Sequence, residues 1–311
     1  MKNVLVTGGA GYIGSVLVSE LLNRDFKVIV LDNFMYRQQS LAHLIRNKNL
    51  EIVFGDVRDN STMQNLVSRS DVILPLAAIV GAPACAKDPV TASSINKDAT
   101  LWLLSKIGSG QQVIMPTTNS AYGSGGEDNY CDENSSLFPL SQYAKEKVII
   151  EEELMKNSNA TSLRLATVFG ISSRMRLDLL VNNFVHRAVK DKFVVLFEGH
   201  FKRNYVHVKD VAAAFTFAIE NPEKVSGQVF NFGLSSAIIS KIELCEEIKK
   251  LIPDFTYLEA PFARDPDQRN YLVSNLKFEN VGMKARITLK DGIEELIKGM
   301  NMYHVPQFAN I

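Results

Sequence analysis

A tyrosine and a lysine four residues apart, Tyr143 and Lys147, lie in a stretch with helical periodicity, so they share one face and reach the same small molecule. Phenol ionises near pH 10 in water, and a neighbouring ammonium favours the phenolate. The pair can therefore act as a base toward an alcohol at neutral pH. Met with nothing else, Y-x-x-x-K describes a solvated helix face, so its weight depends on the rest of the chain. A hydroxyl-rich segment, Pro116 to Gly123, follows an apolar run at Val113 to Met115. At a strand end its hydroxyls can bond to an oxygen under attack, whereas elsewhere they would form a Ser/Thr turn.

The elements that would position these groups are legible in the hydropathy. Short β-rich runs at Val4 to Val6, Val28 to Leu31, Ile52 to Phe54, Val72 to Leu74 and Val113 to Met115 read as strands buried on both faces. Helical patterns at Tyr12 to Arg24, Ser61 to Ser68, Asn96 to Ile107 and Gln142 to Met155 supply the crossovers, and Ala160 to Leu165 reads as a further strand. The expected fold class is α/β, a doubly wound parallel sheet of the Rossmann type. After about Gly170 the alternation loosens, which predicts a nucleotide-binding domain over 1–170 and a smaller α/β lobe over 171–311, with a segment near 206–233 returning to the first. No linker separates the two, so a ligand cleft is expected between them.

Directly after the first strand, Gly8, Gly11 and Gly14 are spaced G-x-x-G-x-x-G and lead through Tyr12 and Ile13 into a helix. Such a loop admits a diphosphate onto helix N-terminal amides. Asp32-Asn33 closes the second strand, where a carboxylate accepts from an adenosine ribose and repels a 2′-phosphate. That favours NAD over NADP, although Arg24 and Arg37 keep NADP open. Asp56 and Val57 follow the third strand, within reach of an adenine edge, a place where Asp is also an ordinary turn residue.

Composition narrows the function classes. The 311 residues carry 34 basic and 34 acidic side chains, so there is no field to attract nucleic acid. Cys85, Cys131 and Cys245 suit neither a disulfide framework nor a metal knot, and His43, His186, His200, His207 and His304 show no ligand spacing, so no metal is expected. Glycines interrupt the apolar N-terminus, and Pro75, Gly81 and Pro83 interrupt the longest uncharged stretch. The expectation is a cytoplasmic protein without a membrane span.

These features, with Arg164 to Gly170 and Arg203 to Asp210, make the whole chain resemble the extended short-chain dehydrogenase/reductases that act on nucleotide sugars. Within that group it most resembles the GDP-D-glycero-D-manno-heptose 4-dehydrogenases of bacterial capsule pathways, through Ile73 to Pro83, Thr118 to Gly123, Arg174 to Asn182 and Asp265 to Arg269. The resemblance implies tightly bound NAD and a catalytic set of Thr118, Tyr143 and Lys147, with Tyr143 as base at C4 and Lys147 on the nicotinamide ribose. It adds Leu76, Ala77 and Ala78 to the cofactor contacts. For the sugar nucleotide it implies Asn119, Ser120, Thr167, Arg174, Asn182 or Asn183, and Arg203 on the diphosphate with Arg269 as a second candidate; Arg176 is expected to line the same cleft.

Two departures from the family pattern matter. Sugar 4,6-dehydratases carry a carboxylate two residues before the tyrosine of the Tyr-Gly pair, and this chain has Ser120 there, after Asn119. Dehydration is thereby disfavoured. Asn204 and Thr167 also replace the more usual Asp and Asn, which bears on substrate contacts. The readings left are a C4 dehydrogenase, a 4-epimerase with the same catalytic set, a ketosugar reductase, and a noncatalytic NAD-binding protein. The resemblance further implies a homodimer joined through Asn96 to Ile107 and Gln142 to Met155, and leaves room for a second substrate that reoxidises NADH.

Overall fold

The computed structural model describes residues 1–123, 130–260 and 271–303. Its first half folds around β1 (Asn3–Thr7), β2 (Lys27–Asp32), β3 (Leu50–Phe54), β4 (Val72–Pro75) and β5 (Gln112–Thr118), which run parallel in the order β5-β4-β1-β2-β3. Strands Ala160–Leu165 and Gln228–Phe232 extend the sheet beyond β5, also parallel, to give seven strands. β4 and all but the first residue of β1 and β2 are buried, because helices occupy both faces and their Val, Leu and Ile side chains leave water on either side. The order reverses beside β1, so the crevice above the β1 and β4 carboxyl ends is where such sheets take ligands.

β3 departs from the expected burial on both faces. It is the edge strand, its residues are half-buried or exposed, and Phe54 stands 78% exposed, stacked on Phe34 with centroids 6.3 Å apart. Nothing beyond the sheet edge among the described residues covers it. The crossover from β4 to β5 also differs from a single helix over Asn96 to Ile107. It is built from Ala82–Lys87, Pro89–Ser93, a π-helical turn at Ser94–Asp98 and Ala99–Leu104. Asp88 caps the second piece by accepting from Thr91 N, and Pro89 can occupy that first turn because its missing N–H needs no partner there.

Helix Val208–Glu220 packs on α1 (Tyr12–Asn23), and the chain then enters the large sheet at Gln228–Phe232. The rest forms small sheets: Thr167–Phe169 pairs parallel with Lys202–His207, which pairs antiparallel with Ile238–Ser240, and Phe193–Leu196 pairs with Thr256–Glu259. One contiguous hydrophobic core runs from Val4, Val6 and Val30 to Phe215, Phe230 and Leu296.

The helix that carries Tyr143 and Lys147 is Gln142–Leu154, capped by Ser141 Oγ, which accepts from Ala144 N. Its inner face holds Glu151, 6% exposed, and Arg164 from the next strand, 5% exposed. Arg164 donates Nη2 and Nε to Glu151 Oε1 at 2.5 and 3.1 Å. Glu151 Oε2 accepts from Thr117 Oγ1 at 2.9 Å and from Ser162 Oγ at 2.6 Å, and Arg164 Nη1 donates to the Tyr122 hydroxyl at 2.8 Å. Removing one member strands a charge away from water, which is worth about 3–5 kcal/mol. Arg164→Met therefore lowers the unfolding free energy by about 3–5 kcal/mol, and adding Glu151→Gln restores more than half of that loss, both read from urea melts.

Candidate active site

Above the β1, β4 and β5 ends lies one cleft, lined by the glycine loop, the loops after β2 and β4, the end of β5, the Tyr143 helix and the segment after Gly170. Gly8 turns the chain at φ +68°, and a Cβ there would stand 2.7 Å from Ala77 Cα, so only glycine lets the two loops touch. A Cβ on Gly14 would stand 2.5 Å from Gly8 O, so glycine is also what seats α1 against its own loop. Gly11 precedes the helix, whose first turn, with Tyr12 and Ile13, faces the cleft. This is an anion cradle of backbone amides at a helix N-terminus.

Asp32 ends β2, 8% exposed, with Oδ2 accepting from Ala10 N at 2.9 Å and Oδ1 from Phe34 N at 2.8 Å and Gln38 Nε2 at 3.3 Å. Burial raises its carboxyl above the usual range, and those donors oppose the shift. Gln38 Oε1 is buried in the same place with no partner among the described residues, an acceptor that a ribose hydroxyl would satisfy. Asn33 donates to Asp56 Oδ2 at 3.4 Å. The hydrogen-bonded Arg58 guanidinium holds Asp56 down at about 2, so this carboxylate stays ionised beside Val57 at the cleft wall. Leu76, Ala77 and Ala78 line the opposite wall. An adenine dinucleotide fits this donor set: amides for its diphosphate, and Asp32 with Gln38 for a ribose.

Thr118, Tyr143 and Lys147 line the same cleft. Thr118 Oγ1 lies 2.6 Å from Ser120 Oγ and accepts from Ser120 N at 3.1 Å, which fixes its rotamer at the strand end. Lys147, 4% exposed, donates to Pro116 O at 3.2 Å, and its Nζ stands 5.8 Å from the centre of the Tyr143 ring. Burial pulls its ammonium down to about 8. Tyr143 packs on Ile79, Cys85, Ala92 and Ile95. That wall is held by Asn96, which accepts from Ile79 N at 2.8 Å and donates to Ile79 O at 2.9 Å from inside the π-helical turn.

The residues assigned to the sugar nucleotide divide. Ser120, Thr167 and Arg174 line the cleft, whereas Asn119, Asn182, Asn183 and Arg203 do not. Asn182 is fully buried and its amide is taken up within the protein: Oδ1 accepts from Gly170 N, and Nδ2 donates to Tyr12 OH and Arg176 O. Asn183 donates to Leu177 O. Both staple the loop in front of them. Arg203 is buried within strand Lys202–His207, opposite Ile239, and Asn119 is buried beneath the β5 end. Arg269 and His304 lie outside the described residues. Arg174 reaches the cleft at its adenosine end, 4.3 Å from the Tyr36 ring centre and close enough to Asp32 to influence its charge.

The motifs alone do not assign Tyr36, Gln38 or Asn96 a binding role, whereas Arg176, expected to line the cleft, does so. Tyr36 and Gln38 sit four and six residues after Asp32, so their short separation from that carboxylate is the signal that could have found them. Among the described residues no cluster of three metal-binding side chains occurs, and no helix is long and apolar enough to cross a membrane.

Comparison with known proteins places this geometry. A model of the NAD dependent epimerase/dehydratase family matches residues 4–233. CDP-paratose 2-epimerase of Salmonella typhi is 25% identical, over 94% of this chain and 97% of its own. The structure of UDP-glucose 4-epimerase from Thermotoga maritima, solved with UDP-glucose, is 26% identical with a TM-score of 0.84, covering 96% of this chain and 99% of that one. UDP-glucose 4-epimerase from Thermus thermophilus, solved with NAD, is 25% identical with a TM-score of 0.82 over the same shares.

The buried Lys147 gives a stability test. Its folded value of about 8 lies below the 10.5 of an exposed lysine, so the unfolded chain holds more protons between those values and this group's contribution to stability rises with pH across that window. Lys147→Met removes the cost of the buried charge. At pH 7 the variant is more stable than the parent by about 1–3 kcal/mol, and the advantage fades as pH approaches about 10.5, measured by chemical denaturation across pH.

Proposed function

The chain belongs to the NAD dependent epimerase/dehydratase family, and from that premise we propose that it oxidises the C4 hydroxyl of a nucleotide-activated sugar, GDP-D-glycero-D-manno-heptose, to the 4-keto sugar. NAD is the cofactor and a nucleotide sugar the substrate class. The observation that carries the reading is the company Thr118 keeps. It shares a cleft with Tyr143 and Lys147, and two residues on stands Ser120, whose hydroxyl lies 2.6 Å from Thr118 Oγ1, where removal of a C5 proton would require a carboxylate. The heptose and its guanine nucleotide rest on the sequence resemblance, as does a role in capsule synthesis.

In this mechanism the Thr118 hydroxyl, held by Ser120, bonds to the C4 oxygen and orients its proton toward Tyr143. Tyr143 takes that proton as phenolate. Lys147 supplies the positive charge that favours the phenolate, and its hydrogen bond to Pro116 O keeps the ammonium near the β5 end. The glycine-loop amides and Asp32 would hold NAD+, which when bound would supply the acceptor for the C4 hydride. Cleft residues Leu76, Ala77, Ala78 and Leu165 provide an apolar wall that limits water around the reacting carbon.

The 4-epimerase reading uses the same groups and is favoured by the likeness to the UDP-glucose 4-epimerase from Thermotoga maritima. Adding GDP-D-glycero-D-manno-heptose and NAD+ and following reduced-nicotinamide absorbance, with NMR of the product, decides between them. A 4-keto sugar with reduced cofactor, or with dependence on an added oxidant that returns it to NAD+, supports the dehydrogenase. A C4-inverted sugar without net reduction supports the epimerase, and an unchanged sugar removes the substrate. Tyr143→Phe abolishes turnover, by a factor of about 10² or more, with NAD still bound, and a fully active variant would sink the mechanism. The proposed homodimer, through helix Gln142–Leu154 and the segment around Ala99–Leu104, is read by sedimentation velocity, where a monomer would defeat it.

A further inference from the structure

The segment between Gly170 and Asn183 is tied to the cofactor cradle more closely than to anything on the sugar side. Tyr12 OH donates to Gly170 O at 2.7 Å, Ser172 Oγ donates to Tyr12 O at 2.7 Å, and Ser15 Oγ lies 2.9 Å from Ser172 Oγ. Ser172 Oγ also accepts from Arg174 N at 3.3 Å, and Asn182 and Asn183 hold the carbonyls of Arg176 and Leu177. Together these bonds fix the segment over the first turn of α1, where the helix amides face the cleft.

Arg174, Arg176 and Leu179 of that segment line the cleft, and among the described residues the two arginines are the guanidiniums that line it. Arg174 is 5% exposed and lies over the Tyr36 ring, with Nη1 donating to Met175 O at 2.9 Å. Arg176 is 7% exposed and is held by Asp178 through Nε at 3.3 Å and Nη2 at 2.5 Å, and its Nη2 lies 3.8 Å from where a Cβ on Gly81 would stand. One arginine thus meets the loop after β2 and the other the loop after β4, on either side of the α1 N-terminus. Burial, and Arg176 itself, depress the Arg174 value, so this cation gains from an anion placed beside it.

We propose that Arg174 and Arg176 form a roof over the diphosphate of NAD, opposite the glycine-loop amides, and hold the cofactor rather than the sugar nucleotide. The proposal rests on NAD as cofactor and not on the sugar or the reaction. Phosphate oxygens on three molecules could answer to two guanidiniums: the NAD diphosphate, the 2′-phosphate of NADP, and the diphosphate of the sugar nucleotide. The first is favoured because Asp32 already presents a carboxylate at the ribose end, which repels a 2′-phosphate, and because the segment's bonds lead to α1. Roofed in this way, the diphosphate has amides on one side and guanidiniums on the other, and release requires the segment to lift from Tyr12 and Ser15.

The test is equilibrium binding by calorimetry to protein stripped of nucleotide, with NAD+, ADP-ribose, 2′-phospho-ADP-ribose, UDP and GDP as probes, and NAD content of the protein as purified. Arg174→Met and Arg176→Met are expected to weaken NAD+ and ADP-ribose alike by tenfold or more, to leave UDP and GDP within twofold, and to lower the purified NAD content. Arg174→Lys falls between parent and Met. Unchanged NAD+ affinity in both variants overturns the proposal, as does a loss confined to UDP or GDP, or one larger for 2′-phospho-ADP-ribose than for ADP-ribose. Thermal melts check folding. If Arg176→Met fails to fold because it strands Asp178, Arg176→Met with Asp178→Asn takes its place.

Discussion

Tyr143, Lys147 and Thr118 stand where they do because of one buried ion pair. Glu151 is one turn beyond Lys147 and two beyond Tyr143 on the same helix, and Arg164 fixes it against the strand that neighbours β5. The same carboxylate takes hydrogen bonds from Thr117, next to Thr118, and from Ser162. A single anion therefore sets the distance between a helix and a strand end, and with it the distance between Tyr143 and Thr118. The second arm of Arg164 reaches Tyr122, whose own hydroxyl lies 2.8 Å from both Asp132 O and Asn231 Oδ1, which extends the bracing to the last strand of the sheet. Low dielectric makes such a network strong when complete and costly when broken, and geometry that must hold to fractions of an ångström benefits from that steepness.

Cofactor and chemistry meet at the switch of strand order beside β1. Glycines bring two loops into contact there, Asp32 is locked by backbone donors, and Lys147 is buried at a cost that the fold must carry. Under the proposed mechanism that cost has a use, since a cation in a dry cleft acts more strongly on a neighbouring phenol than one in water. Ser120 is the other telling choice. It places a hydroxyl, bonded to Thr118, where a carboxylate would be needed as a base.

The Rossmann architecture was legible because its signals are local. Val4 to Val6, Val28 to Leu31 and Val72 to Leu74 are short apolar runs, and the glycine spacing after the first of them has a single mechanical meaning. What escaped was set by neighbours in space. β3 has the composition of a buried strand, yet it is the edge, because no eighth strand pairs outside it among the described residues. The helix read from Asn96 begins inside a π-helical turn that opens at Ser94, and no residue type in that stretch marks the wider turn. Asn182 has a polar side chain at a position that looks toward a cleft in sequence, but the Gly170 amide and Tyr12 hydroxyl are what it serves. Arg174 sits in an irregular segment without periodicity, so only the hydrogen bonds of Ser172 reveal which end of the cleft it faces.

The bonds that run from Tyr12 and Ser15 to Gly170, Ser172 and Asn182 also decide how the molecule comes apart. Residues more than 150 positions apart share buried hydroxyls, and the core on one side continues into the other. Opening either half would leave those groups without partners, so the chain has no cheap route to a state in which one half is folded and the other is not. Melting is then a single cooperative event, and amide protons of the glycine loop exchange with solvent at the pace of the segment after Gly170.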